Sequence, residues 1–442
     1  MSARAAAAVL LLLLLPPAAR AQEAAGDSTL HRFLGGLADS TDRYFGRSAA
    51  PLDTSGLDSA LAAGLDGPRA PRRKLRLELS LGPDFRFQRV DGPTYGLWAG
   101  VGEPVHPLRI EGEAHYASGP NVWLGGGGIR RSFGDRERPW RLRVFAGRRT
   151  AVLDRDARDE RLAHLRALAN GGDYLHYFRR DGLEATLARG GESWEVEAGY
   201  GHGLESPLVT TATWNLLDRA PAVRDNAPAA RGRTRELRYR ATAQLPFAPV
   251  TAEISHATSG KALGSDFEYR RTRAVLSGEF ALGSLAAVVP QLVYGRLSGT
   301  AVPQASFFLG GANSLRSVRG ESIGGAGAAL ARLDLLGVQD LLALARIPHP
   351  AALPLEGGLF AAAGAVWGVD PYGGRTLPGL DWPNREDWLT EAGVTLRWRP
   401  GLPDPFAALE FGYAWPLGPS DRRARFAIAY TRPLDLVHPL GE

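Results

Sequence analysis

Apolar and polar residues alternate through most of this chain with a period of two. In Trp194-Glu195-Val196-Glu197-Ala198-Gly199-Tyr200-Gly201 one face carries Trp, Val, Ala and Tyr, and the other carries Glu, Glu, Gly and Gly. That is the pattern of a β-strand, whose successive side chains point to opposite faces. It returns in Leu409-Glu410-Phe411-Gly412-Tyr413-Ala414-Trp415, Trp140-Arg141-Leu142-Arg143-Val144, Leu237-Arg238-Tyr239-Arg240-Ala241 and Leu108-Arg109-Ile110-Glu111. Many runs pass ten residues, whereas strands of soluble sandwiches are commonly about 5 or 6. Several apolar faces end in Trp or Tyr near the strand tips, and the polar faces carry Arg, Glu and Gly. Both features fit a transmembrane barrel with an apolar surface toward lipid, aromatic girdles and a polar lumen.

This reading predicts strands near 84–90, 94–102, 107–117, 121–133, 139–148, 176–189, 193–204, 234–245, 247–258, 267–281, 284–298, 325–336, 354–367, 388–399, 404–416 and 421–432. The expected fold is therefore all-β, a 16-stranded antiparallel transmembrane β-barrel with a short N-terminal helical segment. Connections around 149–175, 205–233, 299–324 and 368–387 are long and follow odd-numbered strands. Those after even strands are short, except 337–353, as a barrel with both termini in the periplasm requires. A further alternating stretch at Leu75 to Leu81 reads as a lead-in interrupted at Gly82-Pro83.

Ahead of the barrel, taken as 74–442, Arg4, the apolar run Ala5 to Leu15 and Ala19-Arg20-Ala21 read as a secretory signal peptide over 1–21. Its apolar core falls short of the roughly 20 residues that span a bilayer as a helix, and no later stretch is long and apolar enough. Residues 22–73 form a short periplasmic or interfacial segment. There Leu30, Phe33, Leu34 and Leu37, then Leu57, Leu61 and Leu65, have the spacing of two amphipathic helices.

The chain has 442 residues, 52 Lys and Arg against 47 Asp and Glu, and no Cys. Lack of Cys excludes disulfides, thiolate metal sites, cysteine nucleophiles and a lipidated N-terminal Cys. The net charge of +5 is too small, and too interspersed with acids, for a nucleic-acid footprint. The nine His are scattered, with His349 alone between two prolines, so no metal or other cofactor is expected. No Ser/His/Asp or paired-acid pattern stands out, and the chain reads as a non-enzyme. A helical piece at Glu160 to Ala169, in the connection after the fifth strand, reads as a surface cap.

The loop between the eleventh and twelfth strands is the most informative segment: Phe307-Phe308-Leu309-Gly310-Gly311-Ala312-Asn313-Ser314-Leu315-Arg316-Ser317-Val318-Arg319-Gly320-Glu321. It resembles the sixth extracellular loop of the BamA/TamA surface-antigen superfamily of outer-membrane assembly and secretion barrels. There Gly-Gly, three residues and an apolar-Arg-Gly-aromatic tetrad fold back into the lumen. The spacing after Gly310-Gly311 places the family's arginine at Arg316, preceded by Leu315. Val318-Arg319-Gly320 keeps the local Val-Arg-Gly order three residues later and makes Arg319 the alternative.

The resemblance implies carboxylate partners on the next two strands, because a lumenal guanidinium keeps its charge and its planar fork fits carboxylate. Asp334, beside Arg332, fits the first. In the second motif Phe360, Gly364 and Trp367 are kept, but Ala362 stands where Asp is expected. Arg89-Val90-Asp91-Gly92 is similar to a turn in related barrels. POTRA modules, each longer than the segment before the barrel, find no room in this reading.

What the resemblance implies is a barrel in outer-membrane lipid that helps insert or translocate outer-membrane proteins or other envelope components. Its partners would be unfolded outer-membrane proteins and a periplasmic or lipoprotein partner. The rival readings are a passive pore with a lumen lined by Arg141, Arg143, Arg238 and Arg240, and an anchor for a partner protein.

Overall fold

The computed structural model describes residues 78–431 apart from 103–107, 136–137, 156–159, 218–224, 351–352, 374–376, 378, 380–381, 399–407 and 419–421. The expected signal peptide and N-terminal helices lie outside the described residues. In chain order the strands are β1 (Glu78–Gln88), β2 (Gly92–Gly102), β3 (Leu108–Ala117), β4 (Val122–Phe133), β5 (Trp140–Val152), β6 (Tyr177–Gly190), β7 (Trp194–Pro207), β8 (Gly232–Gln244), β9 (Val250–Ser259) and β10 (Tyr269–Gly278). They continue as β11 (Phe280–Leu282), β12 (Ala286–Gly299), β13 (Phe307–Leu309), β14 (Ile323–Gly325), β15 (Gly327–Asp340), β16 (Leu355–Trp367), β17 (Leu389–Trp398), β18 (Ala408–Leu417) and β19 (Arg425–Thr431). Helix α1 (Glu160–Asn170) lies in the loop after β5, and the short α2 (Leu341–Leu344) follows β15. No helix among the described residues is long and apolar enough to cross a membrane.

Seventeen strands form one antiparallel sheet, and β13 pairs with β14 as a separate hairpin. From β1 to β10 each strand pairs with its successor; β10 and β11 both pair with β12, and β15 to β19 follow in order. The break between β10 and β11 has a local cause. Ser277 pairs with Gln291 and Phe280 with Val288, so the unpaired gap falls opposite Pro290, which has no N–H for the ladder.

The first strand differs from expectation: Leu79 and Leu81 belong to β1, which runs unbroken through Gly82 and Pro83 with Pro83 opposite Leu97. The described residues contain no ladder on the other side of β1, nor one joining it to β19. A proline is tolerated in such an edge strand because one side needs no donor.

The apolar face of the sheet is exposed. Leu79 is 72% exposed, Trp123 66% and Phe426 57%, in company with Ile110, Ile254, Leu292 and Leu359. Water would not leave so continuous an apolar face uncovered, and hydrocarbon outside a barrel does not need it covered. The largest dry core lies on the opposite face, where Phe307, Leu309, Leu315 and Val318 pack against Leu330, Ala362 and Val366. The polar, lumen-side surface of β12 to β18 is thus filled by the loop that leaves β12.

Candidate functional site: the loop between β12 and β15

Glycine makes the fold of this loop. Gly310 and Gly311 have φ of 115° and 92°, and a Cβ on Gly310 would stand 2.1 Å from the Arg319 carbonyl oxygen. Gly320 is closed in differently, since a Cβ there would meet the Tyr174 ring at 2.2 Å. The turn is tied by Gly311 N–H donating to Val318 O at 3.0 Å and Val318 N–H to Leu315 O at 3.1 Å. Below it, Phe307 pairs with Gly325 and Leu309 with Ile323. This hairpin carries Leu309 and Leu315 onto Gly364 of β16, where a Cβ would lie 3.1 and 3.2 Å from their methyl groups.

Arg316 is buried at the bottom of the turn. Its Nη2 donates to Glu410 on β18, its Nε to the Ala312 carbonyl at 3.1 Å, and its guanidinium lies 4.2 Å from the Phe360 ring centre. Gly412, two residues after Glu410, leaves space for it, and Gly393 leaves space for the Phe360 ring. Glu391 on β17 holds the loop backbone, accepting the N–H groups of Arg316 and Ser317 at 2.7 Å each. Asp334 lies 3.8 Å from Arg316 but is engaged at 2.7 and 2.8 Å by Arg332, whose third nitrogen reaches Ala312 O. Arg397 closes the group on Glu410 at 3.2 Å. Three guanidinium groups thus face three carboxylates, which is what buried charges require.

Arg316 is accordingly the deeply buried arginine, whereas Arg319 is exposed at the turn. Asp334 reaches Arg316 only at long range. Phe360 and Gly364 contact the loop, but Trp367 faces the other way, 6.2 Å from the Tyr294 ring and 5.6 Å from Trp382. Sequence reasoning missed Glu391 and Glu410. A signal for them exists: the acid-x-Gly lacking at Ala362-Ala363-Gly364 appears as Glu391-Ala392-Gly393 and Glu410-Phe411-Gly412 on the next two strands. Ala362 stands directly opposite Glu391 in the ladder, so the neighbouring strand supplies a carboxylate beside the alanine.

Above the loop lies a second polar joint. Glu321, in the left-handed region at φ 48°, accepts the backbone N–H groups of Asp154 at 3.2 Å and of His176. Burial, then the nearby Asp154 charge, hold its carboxyl well above the usual carboxylate range. Arg89, in the turn between β1 and β2, donates to the carbonyls of Asp173 and Leu175, and Arg179 pairs with Asp91 at 2.8 Å. Helix α1 caps this end, with Ala167 and Leu168 on Phe87 and Ala212. Among the described residues no group of acids and histidines could hold a metal ion.

The arginines of the expected pore are mostly paired: Arg141 with Glu195, Arg238 with Glu184 and Glu236, and Arg240 with Glu253.

An Omp85 superfamily domain matches residues 239–428. BamA from Haemophilus ducreyi, in a crystal structure lacking POTRA domains 1–3, is similar in fold. The TM-score is 0.50 at 14% identity, over 92% of this chain and 82% of that one. CdiB from Acinetobacter baumannii gives 0.42 at 13%, with 80% of this chain covering 59% of CdiB. No protein of curated function matches the sequence. The matched domain spans the strands and the loop around Arg316, so this part of the chain is similar to the Omp85 superfamily, and the fold is similar to that of BamA.

Proposed function

We propose that this chain is a sixteen-stranded cylinder of the outer membrane, β11 being the continuation of β10, that assists insertion or translocation of outer-membrane proteins or other envelope components. The observation that carries this reading is the buried loop, with Arg316 and its backbone held by carboxylates from β17 and β18. Such a clasp fixes one flank of the wall. The edge beside it, where β19 and β1 have no ladder between them among the described residues, is free to admit a strand. Unfolded outer-membrane proteins are then the substrates. Depletion of the protein tests this: other outer-membrane proteins fall in abundance, and unchanged levels of all of them would reject it.

The filled lumen and its paired arginines argue against the passive pore. Steady anion-selective conductance that persists in Arg316→Ala would restore that reading. A specific feature favours a partner in addition. The connection after β15 exposes Leu344 at 60% and Ile347 at 51%, beside Leu341 and Leu353, at the end opposite the capped loops. This apolar tip is an attachment for a periplasmic or lipoprotein partner, and co-purification lost in Leu344→Glu is the corresponding measurement.

A further inference from the structure

Arg319, the arginine left over from the loop motif, is not idle. It lines a cavity of about 510 Å³ with Ser317, Ser322, Arg422, Arg423 and Arg425, beside the edge strand β19. Among the described residues no carboxylate lines this cavity, although Glu391 on β17 bears on Arg422 with opposite charge, and Arg319 and Arg166 both bear on Arg425 with like charge. Arg422 donates to Ser317 Oγ at 3.0 Å and to the Thr390 carbonyl at 3.1 Å, but its buried Nε has no hydrogen-bond partner. Four arginines line one space, and an anion held there would offset the repulsion among them.

We propose that this cavity is a phosphate site, taking either the phosphate of a lipid headgroup at the membrane rim or a soluble phosphate. Several observations select phosphate over an acidic polypeptide. Guanidinium forks grip phosphate oxygens in pairs, and the Ser317 hydroxyl, which accepts from Arg422, keeps its proton for a third oxygen. The volume suits a single compact headgroup rather than an extended chain. Phe426 follows Arg425 on β19, is 57% exposed and stacks on Phe411, so the apolar outer face begins one residue from the cavity.

The test uses the purified mature protein in phosphate-free non-ionic detergent and measures binding alone, so its result is independent of any role in insertion. The probes are inorganic phosphate, a lipid A carrying two phosphates, the same glycolipid with both phosphates removed, and a glutamate-rich peptide. Native mass spectrometry and calorimetry should show the phosphorylated lipid retained. Loss of its phosphates, or Arg423→Gln with Arg425→Gln, should each weaken binding at least about tenfold, the effect of one lost charge-assisted contact. Inorganic phosphate that competes poorly identifies the lipid as the source; inorganic phosphate that binds as tightly identifies a soluble one. Unheated gel mobility verifies folding, and Arg319→Gln alone, at an exposed position, gives a smaller loss if the double variant does not fold. Equal binding of the dephosphorylated lipid, preference for the peptide, or unchanged binding by the variants would overturn the proposal.

Discussion

The wall from β1 to β9 and the wall from β12 to β18 are built from the same alternation, yet their polar faces behave differently. In the first, charges pair along a strand or between nearby strands: Arg141 with Glu195, Arg240 with Glu253, and Glu184 with Arg149, Arg180 and Arg238. These pairs line a surface and are largely independent of any loop. In the second, the face is mostly small or apolar, with Ala328, Leu330, Ala362, Gly364 and Val366, and its charges gather under Arg316. The residues matched by the superfamily domain, 239–428, take in this second wall. The difference teaches that alternation builds the wall, while a stretch of small and apolar residues shapes one part of it to receive a loop.

Removing the central charge should separate the two walls most strongly. Arg316→Ala leaves Glu410 and Glu391 buried with one fewer cation and should cost about 3–5 kcal/mol, read as a lower unfolding temperature and as cleavage of the loop by protease. The matching cut in the first wall, Arg141→Ala, should cost about 1 kcal/mol or less; equal losses would erase the distinction. A double-mutant cycle sharpens it, because Arg316 should couple to Glu410 more strongly than to Asp334, 3.8 Å away.

Space comes next. Gly364→Val should push Leu309 and Leu315 off β16 and cost about 1–3 kcal/mol. Gly127→Ala in β4 meets only the Glu111 carbonyl at 3.6 Å and should be nearly neutral in the same melt.

The smallest effect is on pH. Glu321 has a raised folded value, so its stabilising state is the protonated one, and the joint between this loop and the His176 loop should weaken as pH climbs above 4.5, until the elevated folded value is passed. Hydrogen exchange at the Asp154 and His176 amides should follow that course after correction for the intrinsic pH dependence of exchange. Glu321→Gln should flatten the profile.

Much of the wall was legible because period-two patterning is local. The expected 354–367 is Leu355–Trp367 in the structure, and the expected 193–204 is Trp194–Pro207. Leu79 and Leu81 were set apart because Pro83 reads as a stop, whereas an edge strand tolerates it. Arg316 was placed by its distance from Gly310-Gly311, again a local matter. Glu391 and Glu410 were overlooked because the loop crosses the lumen to strands beyond the two that follow it, and no linear spacing encodes that reach. The mutual packing of Arg89, Leu175 and Ala212 has no period at all.

Strand β16 is used on both sides: Phe360, Ala362 and Gly364 meet the loop, while Leu359, Ala361 and Ala363 look outward. A slip of one residue would exchange the two sets, setting a phenylalanine in the bilayer and depriving Leu309 and Leu315 of their hollow. The seated hairpin is therefore compatible with a single alignment of β16, and its burial favours that alignment over the slipped one.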